Sequence, residues 1–192
     1  MFEVVGFYKF VNISYLKKNQ KVLLETLKKK NIRGTIIISK EGVNGTISGK
    51  ATDIKLTINN LKKTLKFKKF NVSNVSKSTF QPFHKPKVKI KNEVVPMNLT
   101  LNKRIKKKDS HVDPIKWNKL IKEKDTVLID ARKPFEYDVG TFKGAINPDV
   151  DNFRDFPKYL KKLKKNQPIA MFCTGGIRCE TVEINFWRHY CY

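Results

Sequence analysis

Acidic residues are scarce in this chain of 192 residues, which has 17 Asp and Glu against 41 Lys and Arg and a net charge of +24. Residues 1–100 hold 21 basic and five acidic side chains, whereas residues 129–192 hold 11 and eight. The electrostatic field of so large a positive charge attracts polyphosphate partners. Because most of the charge is Lys, contacts with nucleic-acid phosphates are favoured over base reading. A general drift of composition toward lysine is the alternative explanation.

Cysteine and histidine are also rare. The three cysteines all lie in the last twenty residues: Cys173, Cys179 and Cys191. An odd number so confined argues against a disulfide scaffold, and the spacing of the first two does not fit a structural zinc site. The three histidines are scattered, and no dinucleotide-binding fingerprint is present. We therefore expect no metal site and recognise no organic cofactor.

Long apolar runs are missing, and no stretch approaches the length of a membrane-spanning helix. The first residues, MFEVVGFYKF, lack the basic start, apolar run and small-residue cleavage site of a secretion signal. Apolar residues nevertheless make up 40% of the chain, enough to build a core. The sequence predicts a cytoplasmic protein with no membrane partner.

The first half of the chain alternates between strand and helix patterns. Apolar residues with helical spacing predict helices over 14–30 and 54–65. Runs rich in β-branched and aromatic residues, or alternating in polarity, predict strands over 4–11, 33–39, 46–49, 70–76 and 87–95. The order β-α-β-β-α-β is that of a ferredoxin-like α+β sandwich, with helices on one face of the sheet. We assign this domain to residues 1–97.

A basic linker is predicted over residues 98–113, where apolar content is low. Its cluster of cations is the candidate nucleic-acid contact: Lys103, Arg104, Lys106, Lys107 and Lys108. A second domain is predicted over 114–192, with a helix from Pro114 to about Lys124 and another over 154–165. Near-continuous apolar strands at 126–131 and 168–173 indicate a doubly wound α/β sheet that is buried on both faces.

The loop that follows the 168–173 strand carries the candidate chemistry. It begins with a thiol and runs Cys173, Thr174, Gly175, Gly176, Ile177, Arg178, with a helix expected from about Ile177. Ligand sites in open α/β sheets lie at the carboxyl ends of strands. Inward-turned backbone N–H groups, a helix N-terminus and an arginine all favour a thiolate. We therefore predict that Cys173 is a nucleophile with a lowered pKa. The alternative is an inert strand cysteine followed by a turn.

These residues carry a family resemblance. CTGGIR resembles the active-site loop of rhodanese domains, and DARKPFEYDVGTFKGAINP resembles their Asp-x-Arg…Glu…Gly-x-x-x-Gly-Ala-x-Asn pattern. The matching residues are Asp130, Arg132, Glu136, Gly140, Gly144, Ala145 and Asn147. The usual Gly-His-Ile is replaced by Gly140-Thr141-Phe142. With FRDFP at 153–157 and the hairpin GTIIISKEGVNGTISG at 34–49, the chain is similar over residues 4–181 to the oxygen-dependent tRNA uridine hydroxylases.

The resemblance implies an acylphosphatase-like domain before a rhodanese domain. It implies hydroxylation of the wobble uridine of tRNA to 5-hydroxyuridine with molecular oxygen. It also implies that Cys173 is the active-site cysteine, acting directly or through a persulfide. Arg132 is a candidate supporting residue, whereas Asp130 and Glu136 are expected to stabilise the fold. No protein partner is evident.

Three other functions fit parts of the sequence. A sulfurtransferase carrying a persulfide on Cys173 would use the same loop, and a non-catalytic RNA-binding module would use only the charge. A phosphatase of related fold fits less well, because its loop places five residues between Cys and Arg and this one has four. Cys179 is interpreted as a small packed residue, with a resolving thiol as the alternative.

The tail TVEINFWRHYCY departs from the rhodanese pattern, which adds a strand and a helix after the active-site helix. The tail has no glycine-bounded strand, so we expect the domain to be truncated at its C-terminus. We expect residues 129–192 to be less stable than residues 1–96.

Overall fold

The computed structural model describes residues 1–98, 111–164, 167–185 and 189–191. The chain divides into two compact units, residues 1–94 and residues 95–192. The basic cluster at 103–108 lies outside the described residues. None of the described helices has the length and apolar character needed to cross a membrane.

The first unit is a five-stranded sheet with two helices. Its elements are β1 (Phe2–Phe10), α1 (Leu16–Lys29), β2 (Arg33–Ser39), β3 (Gly42–Gly49), α2 (Ala51–Thr64), β4 (Val72–Ser78) and β5 (Pro86–Ile90). The strand order is β4-β1-β3-β2-β5. Neighbouring strands are antiparallel except β2 and β5, which run parallel. The predicted α+β sandwich is confirmed.

The core of the first unit follows from the two periodicities of its sequence. Ile36 and Ile38 alternate along β2 and are fully buried. Leu23 and Leu27 are one helical turn apart on α1 and pack into the same cluster. Strand β3 begins at Gly42, four residues before the predicted strand, because only residues 40 and 41 turn between β2 and β3.

The second unit has short elements. They are α3 (Pro114–Leu120), β6 (Val127–Asp130), α4 (Pro134–Val139), a 3-10 turn (Phe153–Asp155), α5 (Phe156–Leu160), β7 (Ile169–Phe172), α6 (Ile177–Asn185) and β8 (His189–Cys191). The strands pair in parallel in the order β6-β7-β8. The rhodanese-like parallel sheet is therefore confirmed. Helix α4 was not predicted. Helix α5 ends at Leu160, five residues before the predicted end of that helix at residue 165.

The sheet of the second unit is buried on both faces. Ile129 and Met171 pack against Phe156 in one apolar cluster. Leu128 and Phe172, their neighbours in sequence, pack into a second cluster on the opposite face. Alternate side chains of a strand point to opposite faces, so even four-residue strands contribute to two cores.

The expectation that no strand follows the active-site helix is wrong. His189–Cys191 pairs in parallel with β7, with His189 opposite Ile169 and Cys191 opposite Met171. The tail has no flanking glycine to signal a strand, but the exposed edge of β7 supplies the backbone hydrogen-bonding partners. Pairing with an existing strand, rather than local sequence, defines this element.

Candidate active site

Cys173 lies at the carboxyl end of β7, where the loop to α6 begins. The loop is tight, and Gly176 takes a left-handed conformation with φ 79°, which a side chain would disfavour. Gly176 donates its backbone N–H to Cys173 Sγ over 3.1 Å. The loop that was predicted to bind an anion therefore donates a hydrogen bond to the sulfur of its own first residue, Cys173.

The electrostatics of the loop favour the thiolate. Hydrogen bonding from the Cys179 side chain is the largest effect, and backbone groups of Cys179 and Gly175 and the charge of Arg178 act in the same direction. Together they outweigh burial and lower the pKa of Cys173 to about 6. At pH 7 the thiolate therefore outnumbers the thiol about tenfold. The lowered pKa predicted from the sequence is supported, but its largest cause was not foreseen.

Cys179 is the residue that the sequence interpretation undervalued. It is in the first turn of α6, is fully buried and belongs to an apolar cluster. Packing was therefore expected, but the hydrogen bond to Cys173 was not. The sequence did hold a sign of this contact, because Cys173 and Cys179 flank the glycine loop. The first turn of the helix after such a loop brings the chain back toward the end of the strand.

Arg178 was expected to add a fixed positive charge to the loop, and the structure gives it a further, positioning contact. Its guanidinium holds the loop to the segment after β6. Nη1 donates to the carbonyl oxygen of Ala131 over 3.0 Å, and Nη2 donates to Thr174 Oγ1 over 3.4 Å. Nη2 also lies 3.5 Å from Glu136 Oε2. Arg178 thus positions the loop and acts on Cys173 through its charge alone.

Glu136 completes this connection from α4. Its Oε1 accepts a hydrogen bond of 2.5 Å from Thr174 Oγ1, and its Oε2 accepts the N–H of Lys133 over 3.2 Å. Burial opposes ionisation, but these bonds and the charge of Arg178 outweigh it, so the pKa of Glu136 is lowered. The carboxylate stays charged and fixes both Thr174 and Arg178.

A buried ion pair lies at the end of the neighbouring strand. Asp130, the last residue of β6, is fully buried and accepts bonds from Arg132 Nε (2.9 Å) and Nη2 (2.6 Å). Thr141 Oγ1 donates a further bond of 2.9 Å. Burial raises the pKa of Asp130, but these bonds overcome it and the net shift is downward. The expected fold-stabilising role of Asp130 fits this geometry.

Other signature residues brace the same segment. Arg132 Nη2 donates to the carbonyl oxygen of Gly140 over 2.6 Å, and Asn147 Nδ2 donates to the carbonyl oxygen of Arg132 over 3.1 Å. The Arg132 guanidinium also lies 5.4 Å from the ring centre of Phe172. Arg132 is close enough to Cys173 for their charges to interact. Arg132 thus lies beside the site while being held by the carboxylate of Asp130, and its supporting role stays a prediction.

A cavity of about 510 Å³ opens beside the sulfur. Its lining combines the thiol, the guanidinium and two aromatic rings: Arg132, Gly140, Thr141, Phe142, Phe172 and Cys173. Phe142 replaces the usual Ile of the resembled pattern, and its ring centre is 4.8 Å from that of Phe172. Periodicity and motif spacing gave no indication of this cavity, because it joins two segments thirty residues apart.

Of the other predicted residues, Ile177 begins α6, and the five cations of the linker lie outside the described residues. Within the described ranges, no three His, Cys, Asp or Glu side chains converge as metal ligands.

Comparison with known families matches each unit separately. Residues 2–94 match the UPF0176 acylphosphatase like domain, and residues 114–190 match the rhodanese-like domain. The chain is 67% identical to the tRNA uridine(34) hydroxylase of Pelagibacter ubique, over 96% of this chain and 61% of that protein. It is 40% identical to the enzyme of that name from Bartonella quintana, over 93% of this chain and 60% of that protein.

The chain thus spans about three fifths of the length of these curated relatives. Both halves of the match agree with the two folds and with the loop around Cys173. The chain therefore carries a domain similar to the UPF0176 acylphosphatase-like domain, followed by a rhodanese-like domain.

Proposed function

We propose that the chain hydroxylates a wobble uridine of tRNA at C5, with Cys173 as the reacting sulfur. One atom of molecular oxygen enters the C5–H bond, and the other leaves as water after reduction by a two-electron donor such as an external thiol. The observation that carries the proposal is the sulfur itself, at the mouth of a cavity and with a pKa of about 6. A thiolate is the nucleophilic form of cysteine. The names of the relatives support hydroxylation of uridine 34 of tRNA, and tRNA as the proposed substrate supports a cytoplasmic location.

The other residues of the site hold the sulfur rather than react. Gly176 and Cys179 stabilise the thiolate by hydrogen bonding. Glu136 and Arg178 fix the loop to the segment after β6. A nucleophile that is already oriented and charged requires no rearrangement before it reacts, which lowers the barrier.

The high positive charge supports tRNA as the substrate. The net charge of +24 is concentrated before residue 129, in the first unit and the basic segment. Counterion release on phosphate binding would provide affinity without sequence reading. On this proposal the first unit and the segment at 103–108 bind the RNA, and the second unit carries the reaction.

Nucleoside analysis tests the proposal directly. Transfer RNA from cells that lack the gene is incubated with the chain, oxygen and a thiol reductant, digested and analysed by mass spectrometry. We expect 5-hydroxyuridine with the natural chain and with Cys191→Ala, a thiol to which no role is assigned, and none with Cys173→Ala. A thiolated nucleoside would instead support the sulfurtransferase alternative. Tight tRNA binding with no modified nucleoside, and no change in Cys173→Ala, would support an RNA-binding module.

A further inference from the structure

The cavity beside Cys173 is larger than the volume that a small sulfur anion bound there would occupy. At about 510 Å³ it falls in the range of about 300–1,000 Å³ typical of pockets for small organic molecules. A water occupies about 30 Å³ in the liquid, so a small sulfur anion would fill only a minor part of the cavity. The volume leaves room for a ligand with a ring.

The charges of the site do not favour a free anion. Arg132 is paired with the buried carboxylate of Asp130 at 2.6 Å, and Arg178 lies 3.5 Å from Glu136. Each cation is thus already balanced by a fixed carboxylate. A sulfur anion would also face the negative charge of the Cys173 thiolate. A neutral ligand avoids this repulsion.

The lining suits a flat, neutral ring with carbonyl groups. Phe142 and Phe172 supply aromatic surface, and Phe142 is only half-buried. Arg132 donates to Asp130 and Gly140 through Nε and Nη2, while its Nη1 makes no hydrogen bond to any described residue. A guanidinium N–H in that position is a donor for a carbonyl oxygen. Enzymes that modify a base read it through such stacking and edge contacts after turning it out of its stack.

We infer that this cavity is a binding site for a pyrimidine base turned out of the RNA, with Phe142 as the stacking residue that places the base against Cys173. Arg132 Nη1 donates to a carbonyl oxygen of the base. The inference rests on the proposed function and deepens it, because it assigns the substrate position. Gly140-Thr141-Phe142 then provides a specificity element, since Thr141 is tied to Asp130 and holds Phe142 at the rim.

Binding of two synthetic anticodon stem-loops tests the inference. One carries uridine at the wobble position and the other carries an abasic nucleotide there, and their affinities are measured by fluorescence anisotropy at one salt concentration. We expect the natural chain to prefer the uridine RNA by about tenfold, the size of one base–aromatic stack. Phe142→Leu should lose most of this preference and Phe142→Tyr should keep it, with affinity for the abasic RNA unchanged in both.

Phe135→Leu is the matched control, because Phe135 is exposed on α4 and does not line the cavity. It should keep the full preference. A Phe142→Leu variant with native near-UV circular dichroism and undiminished preference would overturn the inference. Phe142 also contacts Trp117, at 5.6 Å between ring centres, so folding of the variant is checked first.

Photochemical crosslinking gives a test that needs no variant. A stem-loop with 5-iodouridine at the wobble position is irradiated with the natural chain, and the crosslinked peptide is identified by mass spectrometry. A crosslink to Phe142 or Phe172 supports the inference, and one confined to other peptides overturns it. Hydroxylation without base preference would refute only the pocket. Base preference without 5-hydroxyuridine would refute only the hydroxylase.

Discussion

The two units of the chain are stabilised in different ways. The first has strands of five to nine residues and two helices of fourteen residues around one apolar cluster. The second has strands of three or four residues, and its sheet packs into two separate apolar clusters. Its loops are held by buried charged groups, among them the pair of Asp130 and Arg132.

This difference shows where function is placed. Long elements with regular periodicity stabilise themselves through packing, so their exposed surfaces remain available for charge. Short strands leave more of the second unit to loops, and loops at strand ends carry reactive groups. These loops need polar bonds to hold their shape, because they have little apolar area to bury.

The largest expected effect comes from breaking the buried ion pair. Asp130→Ala leaves the guanidinium of Arg132 without its carboxylate and should destabilise the second unit by about 3 kcal/mol. Both tryptophans of the chain lie in this unit, so their fluorescence during urea unfolding measures the loss. Amide exchange in β1 and β3 should be unchanged.

A matched pair on the surface of the first unit provides the control. Lys30 and Asp53 are 3.6 Å apart, with 34% and 29% of their side chains exposed. Asp53→Ala should cost no more than about 1 kcal/mol, because water screens and replaces the contact. Equal costs for the two variants would contradict the view that the second unit depends more on its charged pairs.

The second prediction concerns the charge of the segment before the second sheet. Replacing Lys106, Lys107 and Lys108 by Gln should reduce the slope of log affinity for tRNA against log salt by up to about 0.9 for each lost phosphate contact. The control replaces three lysines at and just after α5, Lys158, Lys161 and Lys162, and should leave the slope nearly unchanged. If both variants change the slope equally, the lysines act only as a diffuse charge.

The third prediction concerns the contact that most favours the thiolate. Cys179→Ala removes the hydrogen bond to Cys173 and should move the inflection of iodoacetamide labelling from about pH 6 toward the free-thiol value of about 8.5. Cys179→Ser keeps a donor and should shift less. Mass spectrometry separates labelling of Cys173 from that of the other thiols.

The outcome of that titration distinguishes two explanations of the loop. An unchanged inflection in Cys179→Ala would show that the glycine N–H groups and Arg178 suffice. Glu136→Gln is a useful companion, because it frees Arg178 from its carboxylate without removing the guanidinium. Its inflection should stay below the free-thiol value, since the charge that acts on Cys173 remains.

The smallest expected effect is a difference between the two units in how their stability responds to acid. The lowered pKa values of Asp130 and Glu136 contribute stability above the unfolded-chain values, about 3.9 and 4.3, and that stability is lost as pH falls through the native values. Glu41, in the first unit, has its pKa raised by burial and by Glu93. Its contribution is present below the unfolded value and is lost as pH rises through the native one.

Acidification from pH 6 should therefore weaken the second unit through these groups while Glu41 favours the first. Tryptophan fluorescence follows the second unit, and amide exchange in β1 and β3 follows the first. Glu41→Gln should remove the gain in the first unit. If Glu41→Gln leaves the acid response of the first unit unaltered, the raised pKa of Glu41 has no measurable influence on stability.

The amino-acid sequence determined the two folds and the candidate nucleophile, Cys173. The strand and helix patterns of the first half are local, because side-chain direction repeats every two residues in a strand and about every 3.6 in a helix. The thiol, the glycines and the strand before them are also adjacent in sequence, so the lowered pKa of Cys173 could be anticipated. Its value of about 6 now has a structural cause.

The tertiary structure decided which groups meet. The loop after β7 meets the segment after β6 because the two strands are parallel neighbours. That pairing brings Arg178 to Glu136 and forms the open cavity that Phe142 and Cys173 line. It also leaves the edge of β7 on which β8 pairs. These contacts join residues far apart in sequence, and their geometry depends on strand register, which periodicity alone does not specify.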